Sequence, residues 1–76
     1  MNKARRKELS RAVELLEEAQ SIIESCRDEE QEYMDNMPEN LQESEKYYAA
    51  EEAVNNMDEA YDEIGEAIDS VGSAME

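Results

Sequence analysis

Carboxylates are the only side chains present in sufficient number to do chemistry in this chain. The 76 residues include 22 Asp and Glu, no His and a single Cys, Cys26. This inventory excludes zinc sites built from several Cys and His ligands, His-containing di-iron sites and catalytic triads with a His base. Any site must therefore be made mainly of carboxylates.

Carboxylate pairs three residues apart share one helix face and are the remaining catalytic option. Glu14-x-x-Glu17 and Glu59-x-x-Asp62 have the spacing with which an all-α nucleotide pyrophosphatase would hold magnesium. So acidic a chain produces such pairs by chance, and neither has basic or aromatic companions to bind a nucleotide. We predict a non-enzymatic protein without a cofactor and keep the magnesium-dependent pyrophosphatase as a remote alternative.

Two series of nine positions, alternating in steps of three and four, would position the carboxylates. Sustained spacing of this kind is typical of helices that pack on another helix along their length. The predicted fold is all-α, an antiparallel two-helix hairpin with coiled-coil-like heptad packing: helix 1 at about 3–35, a turn with room for a short helix at 36–43, and helix 2 at about 44–75. Pro38 marks the turn and Ser44 caps helix 2. The series are Leu9, Ala12, Leu16, Ala19, Ile23, Cys26, Glu30, Tyr33 and Met37, then Tyr47, Ala50, Val54, Met57, Tyr61, Ile64, Ile68, Val71 and Met75.

Glu30 is the one charged residue in these series, and it has two interpretations. It is a desolvated functional carboxylate, or helix 1 drifts off the heptad so that Met34 takes the inner position and Glu30 reaches solvent. In the strict heptad register, Cys26 faces Met57 and Tyr33 faces Ala50.

Composition and periodicity point in opposite directions. Leu, Ile, Val and Phe number 11 of 76 and the net charge is −15, which is typical of disordered chains. The regular apolar spacing indicates a folded hairpin that is marginally stable and salt-sensitive. Cys26 on an inner face predicts a reducing compartment. With no signal-peptide pattern and no membrane-spanning stretch, we expect a cytoplasmic protein that does not bind membranes.

A further apolar column lies beside each heptad series, and a two-helix packing does not require it. It predicts a homodimer that forms a four-helix arrangement; the alternative is that the alanines merely favour helix. Gly65 and Gly72 each cost roughly 1 kcal/mol relative to Ala. They indicate close approach of a partner chain or target, or else a frayed C-terminal half. The predicted self-association residues are Leu15, Ile22, Ala53, Ala60, Ala67 and Ala74.

Charge is unevenly distributed along the chain. Residues 1–11 hold five bases and one acid, whereas residues 12–76 hold two bases and 21 acids. We expect the basic start to lie beside the C-terminal end of helix 2, where its charge complements the helix dipole. Over a rod of roughly 50 Å the acids approach the charge density of duplex DNA.

Such a rod repels nucleic acid but attracts basic proteins. The sequence therefore predicts no direct nucleic-acid binding and a protein partner. One interpretation of that partner is a basic DNA- or RNA-binding protein whose site the hairpin occupies by mimicking nucleic acid. The alternative is a structural or assembly hairpin whose acidity serves solubility. The predicted protein-binding face comprises Glu45, Glu52, Glu59, Asp62, Glu63, Glu66 and Asp69.

Three segments carry a resemblance to a known group of proteins: Arg5–Leu9, the turn Tyr33–Glu45, and Met57–Val71. They resemble small, acidic, uncharacterised helical proteins of bacteriophages and integrated bacterial elements. The turn is the most specific part, because Glu-rich helices resemble one another for trivial reasons. The resemblance brings no catalytic residues. It implies a phage-like setting, in which small acidic proteins often inhibit host nucleases or other DNA-binding proteins.

Overall fold

The structure, a computed structural model, describes residues 1–76. Helix α1 spans Lys3–Asp35 and helix α2 spans Glu45–Ala74; a 3₁₀ turn at Glu39–Leu41 lies between them. The two long helices pack side by side, which confirms the predicted all-α helical hairpin. The Cα atoms fill an envelope of 59 × 14 × 12 Å, so the molecule is a rod one helix layer thick. Neither long helix contains an apolar stretch sufficient to cross a membrane.

Polar caps define where each helix begins. The side chain of Asn2 accepts a hydrogen bond of 2.8 Å from the Arg5 N–H at the start of α1. Ser44 does the same for α2, where its hydroxyl accepts from the Tyr47 N–H at 3.4 Å. Pro38 precedes the 3₁₀ turn with φ −57° and ψ 145°, an extended conformation that keeps the two helices separate. These residues fix the length of both arms.

The core lies at the closed end of the hairpin, next to the turn. Four side chains are buried, namely Met34, Met37, Ala50 and Val54, and the partly buried Tyr47 packs against this group. Toward the open end the inward-facing side chains are only partly buried. The turn end therefore holds most of the hydrophobic stabilisation.

A basic side chain closes the open end. The guanidinium Nε of Arg6 donates a hydrogen bond of 3.0 Å to the backbone carbonyl of Met75, just beyond the last turn of α2. A cation at that position complements the negative end of the helix dipole. The predicted location of the basic start is thus confirmed, with a carbonyl as the hydrogen-bond acceptor.

The strict heptad register is wrong for the second half of α1. Cys26 and Tyr33, both assigned to the interior, are exposed, Tyr33 to 48%. Met34 is instead buried to 5% exposure, which confirms the predicted drift. Glu30 does not reach solvent fully, since it remains partly buried.

Helix geometry explains why Met34 is buried and Cys26 and Tyr33 are exposed. A straight α-helix drifts by about 20° per heptad relative to a 3.5-residue repeat, so a strict heptad rotates out of the interface after three or four repeats. The inner face of α1 instead follows Ala12, Ile23 and Met34, which are 11 residues apart and partly or fully buried. Eleven residues make slightly more than three complete turns, so this spacing stays on one side of a straight helix.

We expect Met34→Ala to lower the free energy of unfolding by about 2 kcal/mol, because it removes a buried side chain from the small core. Leu41→Ala is the control, since Leu41 is 46% exposed in the turn. Urea unfolding followed by circular dichroism measures both. Equal losses for the two variants would show that Met34 is not in the core.

Candidate functional site: an acidic edge

Two cross-helix contacts define which flanks of α1 and α2 lie on the same side of the hairpin. The Nε of Arg27 donates to Asp58 Oδ1 at 2.8 Å, and the Nε2 of Gln20 donates to the carbonyl of Tyr61 at 3.1 Å. Exposed carboxylates from both helices line shallow clefts along this side, the first of about 260 Å³ around Arg27. We call the following residues the acidic edge: Glu17, Glu24 and Asp28 of α1, and Asp58, Asp62, Glu66 and Asp69 of α2.

The structure places the seven acidic residues of the predicted protein-binding face on two different surfaces. All seven are exposed. Asp62, Glu66 and Asp69 meet Glu17 of α1 around one cleft, so they belong to a surface made by both helices. The other four line none of the clefts and extend along α2 outside the acidic edge: Glu45, Glu52, Glu59 and Glu63.

The carboxylates of α1 were missing from the predicted binding face. Glu17, Glu24 and Asp28 join the edge because the inner face of α1 turns Gln20 and Arg27 toward the same flank of α2. Only the cross-helix register reveals this, and a list of heptad positions on α2 alone does not contain it. The acidic surface is therefore broader than the sequence pattern on one helix indicates.

Arg27 is the cation of the acidic edge. Besides Asp58, its guanidinium approaches Asp28 Oδ1 at 3.5 Å. The hydrogen bond that Arg27 donates to Asp58, together with the attraction of both carboxylates, raises the pKa of Arg27 above its ordinary value, although partial desolvation opposes this. Arg27 thus joins the two helices and stays charged. Arg27 is the only base between residues 12 and 45 and is adjacent to an inner position, and this was the signal that could have identified it.

Tyr61 lines the same cleft as Arg27 and reports on the negative field there. The negative charge of Glu24 raises the pKa of Tyr61 above its ordinary value of 10.0; desolvation and Asp62 act in the same direction. The raised pKa means that a further negative charge is unfavourable at this point.

The two glycines of α2 have different surroundings. A Cβ on Gly65 would lie 3.3 Å from Gln20 Nε2, so the close approach comes from within the hairpin. A Cβ on Gly72 would meet nothing within 4 Å, and α2 continues past Gly72 to Ala74. The helix therefore extends through both glycines without interruption.

The pyrophosphatase alternative requires carboxylates of adjacent helices to hold a metal ion. Glu14 and Glu17 lie on α1, whereas Glu59 and Asp62 lie on α2. No group of three or more Cys, Asp or Glu side chains has a geometry that could hold a metal ion.

The predicted self-association residues lie on the flank opposite the acidic edge. At about 100° per residue, Leu15 and Ile22 project away from Gln20 and Arg27, and the exposed Cys26 and Tyr33 project to the same side. Leu15 is 49% exposed and Ile22 59%. Ala53, Ala60 and Ala67 are partly buried and Ala74 is exposed. We call these eight residues the apolar edge: Leu15, Ile22, Cys26, Tyr33, Ala53, Ala60, Ala67 and Ala74.

Fold and surface together define an acidic helical hairpin with one charged and one apolar edge. No protein-family model, curated protein or solved structure matches the chain. The surfaces themselves must therefore support any functional proposal.

The glycines give a matched pair of substitutions. We expect Gly72→Ala to raise the free energy of unfolding by about 0.5–1 kcal/mol, because Ala has the higher helix propensity and the site is open. Gly65→Ala should gain less, since the Gln20 amide must move and its hydrogen bond to Tyr61 weakens. Thermal unfolding compares the two variants, and an equal gain would show that Gln20 does not constrain position 65.

Tyr61 makes stability depend on alkaline pH. Because its pKa is raised in the folded hairpin, this contribution is fully present below pH 10.0 and is lost as the pH rises through the folded value. Phenolate absorbance during an alkaline titration should show the raised transition. Glu24→Gln should lower the pKa of that transition and Tyr61→Phe should remove it. A titration unchanged by Glu24→Gln would contradict the proposed cause.

Proposed function

We propose that this chain is a non-enzymatic, acidic protein-binding hairpin whose acidic edge occupies the basic nucleic-acid site of another protein. The observation that carries the proposal is the excess of unpaired carboxylates on a rigid rod. Of 22 acids, only Glu14, Asp28 and Asp58 make ion pairs within the chain. Nineteen carboxylates remain available to a partner.

The spacing of this charge supports a nucleic-acid mimic. Over the 59 Å length of the rod, 22 acids give about one carboxylate per 2.7 Å, against about one phosphate per 1.7 Å of duplex DNA. Two long helices hold this charge in place, so a partner pays little to order it. A basic protein site that tracks a phosphate backbone would find a similar series of anions here.

The clefts of the acidic edge suit long cationic side chains. The carboxylates of Glu17, Asp62, Glu66 and Asp69 surround an open depression between the helices. Lys and Arg side chains can enter such a depression with their apolar stems against the helix and their charges among the carboxylates. A neutral partner would gain none of these interactions.

The resemblance of the chain to small acidic proteins of bacteriophages suggests the biological setting. We infer a phage-type inhibitor that acts in the host cytoplasm on a nuclease or another DNA- or RNA-binding protein. The second candidate is a structural or assembly hairpin, and the exposure of Leu15 and Ile22 on the apolar edge favours it. Salt dependence separates the two candidates, because apolar assembly does not weaken as salt rises.

The test is capture of a partner from bacterial lysate, followed by affinity measurements with the purified partner. We expect a basic nucleic-acid-binding protein that duplex DNA displaces and whose affinity falls steeply between about 50 and 200 mM salt. The triple variant Glu17→Gln, Asp62→Asn, Asp69→Asn should bind about tenfold or more weakly, since it removes three charges from one cleft.

The control triple, Glu32→Gln, Glu39→Gln, Glu43→Gln, reduces the net charge of −15 by the same three units at exposed positions outside the acidic edge. It should retain most of the affinity. An equal loss of affinity in both triple variants would show that the interaction depends on net charge alone. A captured partner that is neutral, or that DNA does not displace, would refute the mimic.

A further inference from the structure

We propose that two copies of this chain pack through the apolar edge, antiparallel and related by a two-fold axis perpendicular to the helices. The proposal is independent of the function of the acidic edge. It specifies which faces of the two copies pair and in which register.

The exposed area of the single hairpin is the first support. Its accessible surface is 5797 Å² for 8.7 kDa, whereas a compact monomer of that mass exposes about 4,700 Å². The excess of about 1,100 Å² exceeds the roughly 800 Å² that each partner buries in a standard stable interface. A second layer of two helices would bury an area of this size.

The spacing along α1 selects the antiparallel arrangement. Leu15, Ile22, Cys26 and Tyr33 are separated by steps of seven, four and seven, which read the same in both directions. In a two-fold interface a residue i meets j and j meets i. An axis at the level of Glu24 places Leu15 against Tyr33 of the second copy, and Ile22 against its Cys26.

The alanines of α2 fit the same axis. Ala53, Ala60 and Ala67 are spaced symmetrically about Ala60. The contact between Arg27 and Asp58 places Ala60 close to the level of Glu24 on the neighbouring helix. One axis therefore relates Ala53 to Ala67 of the second copy and Ala60 to its own equivalent. Small side chains at these positions let the two α2 helices approach closely.

Charge argues that the occupant of this edge is a second copy. A net charge of −15 on each chain opposes contact almost anywhere else, and the acidic edge would bring like carboxylates together. The eight residues of the apolar edge themselves carry no formal charge, whereas Glu29 and Glu30 line the cleft beside Cys26 and Tyr33 and add to the repulsion between copies. Packing through them directs the two acidic edges outward on opposite sides. Salt should therefore strengthen this dimer, because it screens the repulsion between copies.

Sedimentation equilibrium of the whole chain tests the assembly. We expect a dimer of twice 8.7 kDa that dissociates on dilution and whose dissociation constant falls as salt rises. Ile22→Glu should weaken it at least tenfold. Ser21→Glu adds the same charge one residue away, on exposed surface outside the apolar edge, and should leave dimerisation largely intact. A monomer at all concentrations, or equal effects of the two variants, would overturn the proposal.

Disulfide trapping tests the register, even if Ile22→Glu loses helicity. In a Cys26→Ser background, a mixture of Leu15→Cys and Tyr33→Cys chains should oxidise to a covalent heterodimer, identified by mass. Either variant alone should crosslink poorly, because each cysteine would lie about 27 Å along the axis from its own equivalent. Efficient crosslinking of Leu15→Cys to itself, or no heterodimer, would contradict the antiparallel register.

Opposite salt responses distinguish this proposal from the proposed function. Binding through the acidic edge weakens as salt rises, whereas dimerisation strengthens. Ile22→Glu changes the second without touching a residue of the acidic edge. Either proposal can therefore fail while the other stands.

Discussion

Every other feature of this hairpin depends on one narrow strip of contact between α1 and α2. Four buried side chains near the turn and a row of partly buried ones toward the open end must oppose the repulsion of a chain with net charge −15. A strip this narrow leaves little surplus stability, since a chain of 76 residues buries a limited share of its surface. Caps at Asn2 and Ser44, the hydrogen bond of Arg6 and the bridge from Arg27 to Asp58 supplement it with polar contacts. The hairpin is therefore held by hydrophobic packing at the turn and increasingly by polar contacts toward its open end.

The same strip separates two chemically different edges. Once Gln20 and Arg27 turn toward one flank of α2, the acids at positions 17, 24 and 28 must follow them, while Leu15 and Ile22 turn to the opposite side. A rotation of α1 by one residue, about 100°, would mix charged and apolar side chains on both edges. The separation is thus a consequence of helix register, and substitutions that shift the register would damage both surfaces together.

Much of the fold could be predicted from the sequence because helical periodicity is a local property. The run of helix-forming residues, Pro38 and the Ser44 cap are sufficient to place two helices and a turn. The interior of α1 beyond Ile23 could not be predicted in the same way, because the heptad and the 11-residue spacing diverge only after several turns, and Cys26, Tyr33 and Met34 are all residues that can occupy a core. Gly65 in the candidate site could not be interpreted from the sequence for a similar reason. Its neighbour Gln20 lies 45 positions away in sequence, and a single sequence does not show that these two residues are in contact.

The two edges also bear on each other. A single hairpin carries about one carboxylate per 2.7 Å of its length, which is sparser than the phosphates of duplex DNA. Two hairpins packed about an axis at the level of Glu24, which lies off the middle of the rod, would carry 44 carboxylates over about 70 Å, about one per 1.6 Å, which matches the density of DNA. Since electrostatic attraction to a basic site increases with local charge density, the dimer would be the better mimic. Apolar packing would in this way supply the charge density that one chain lacks, while the repulsion between copies would limit how strongly they associate.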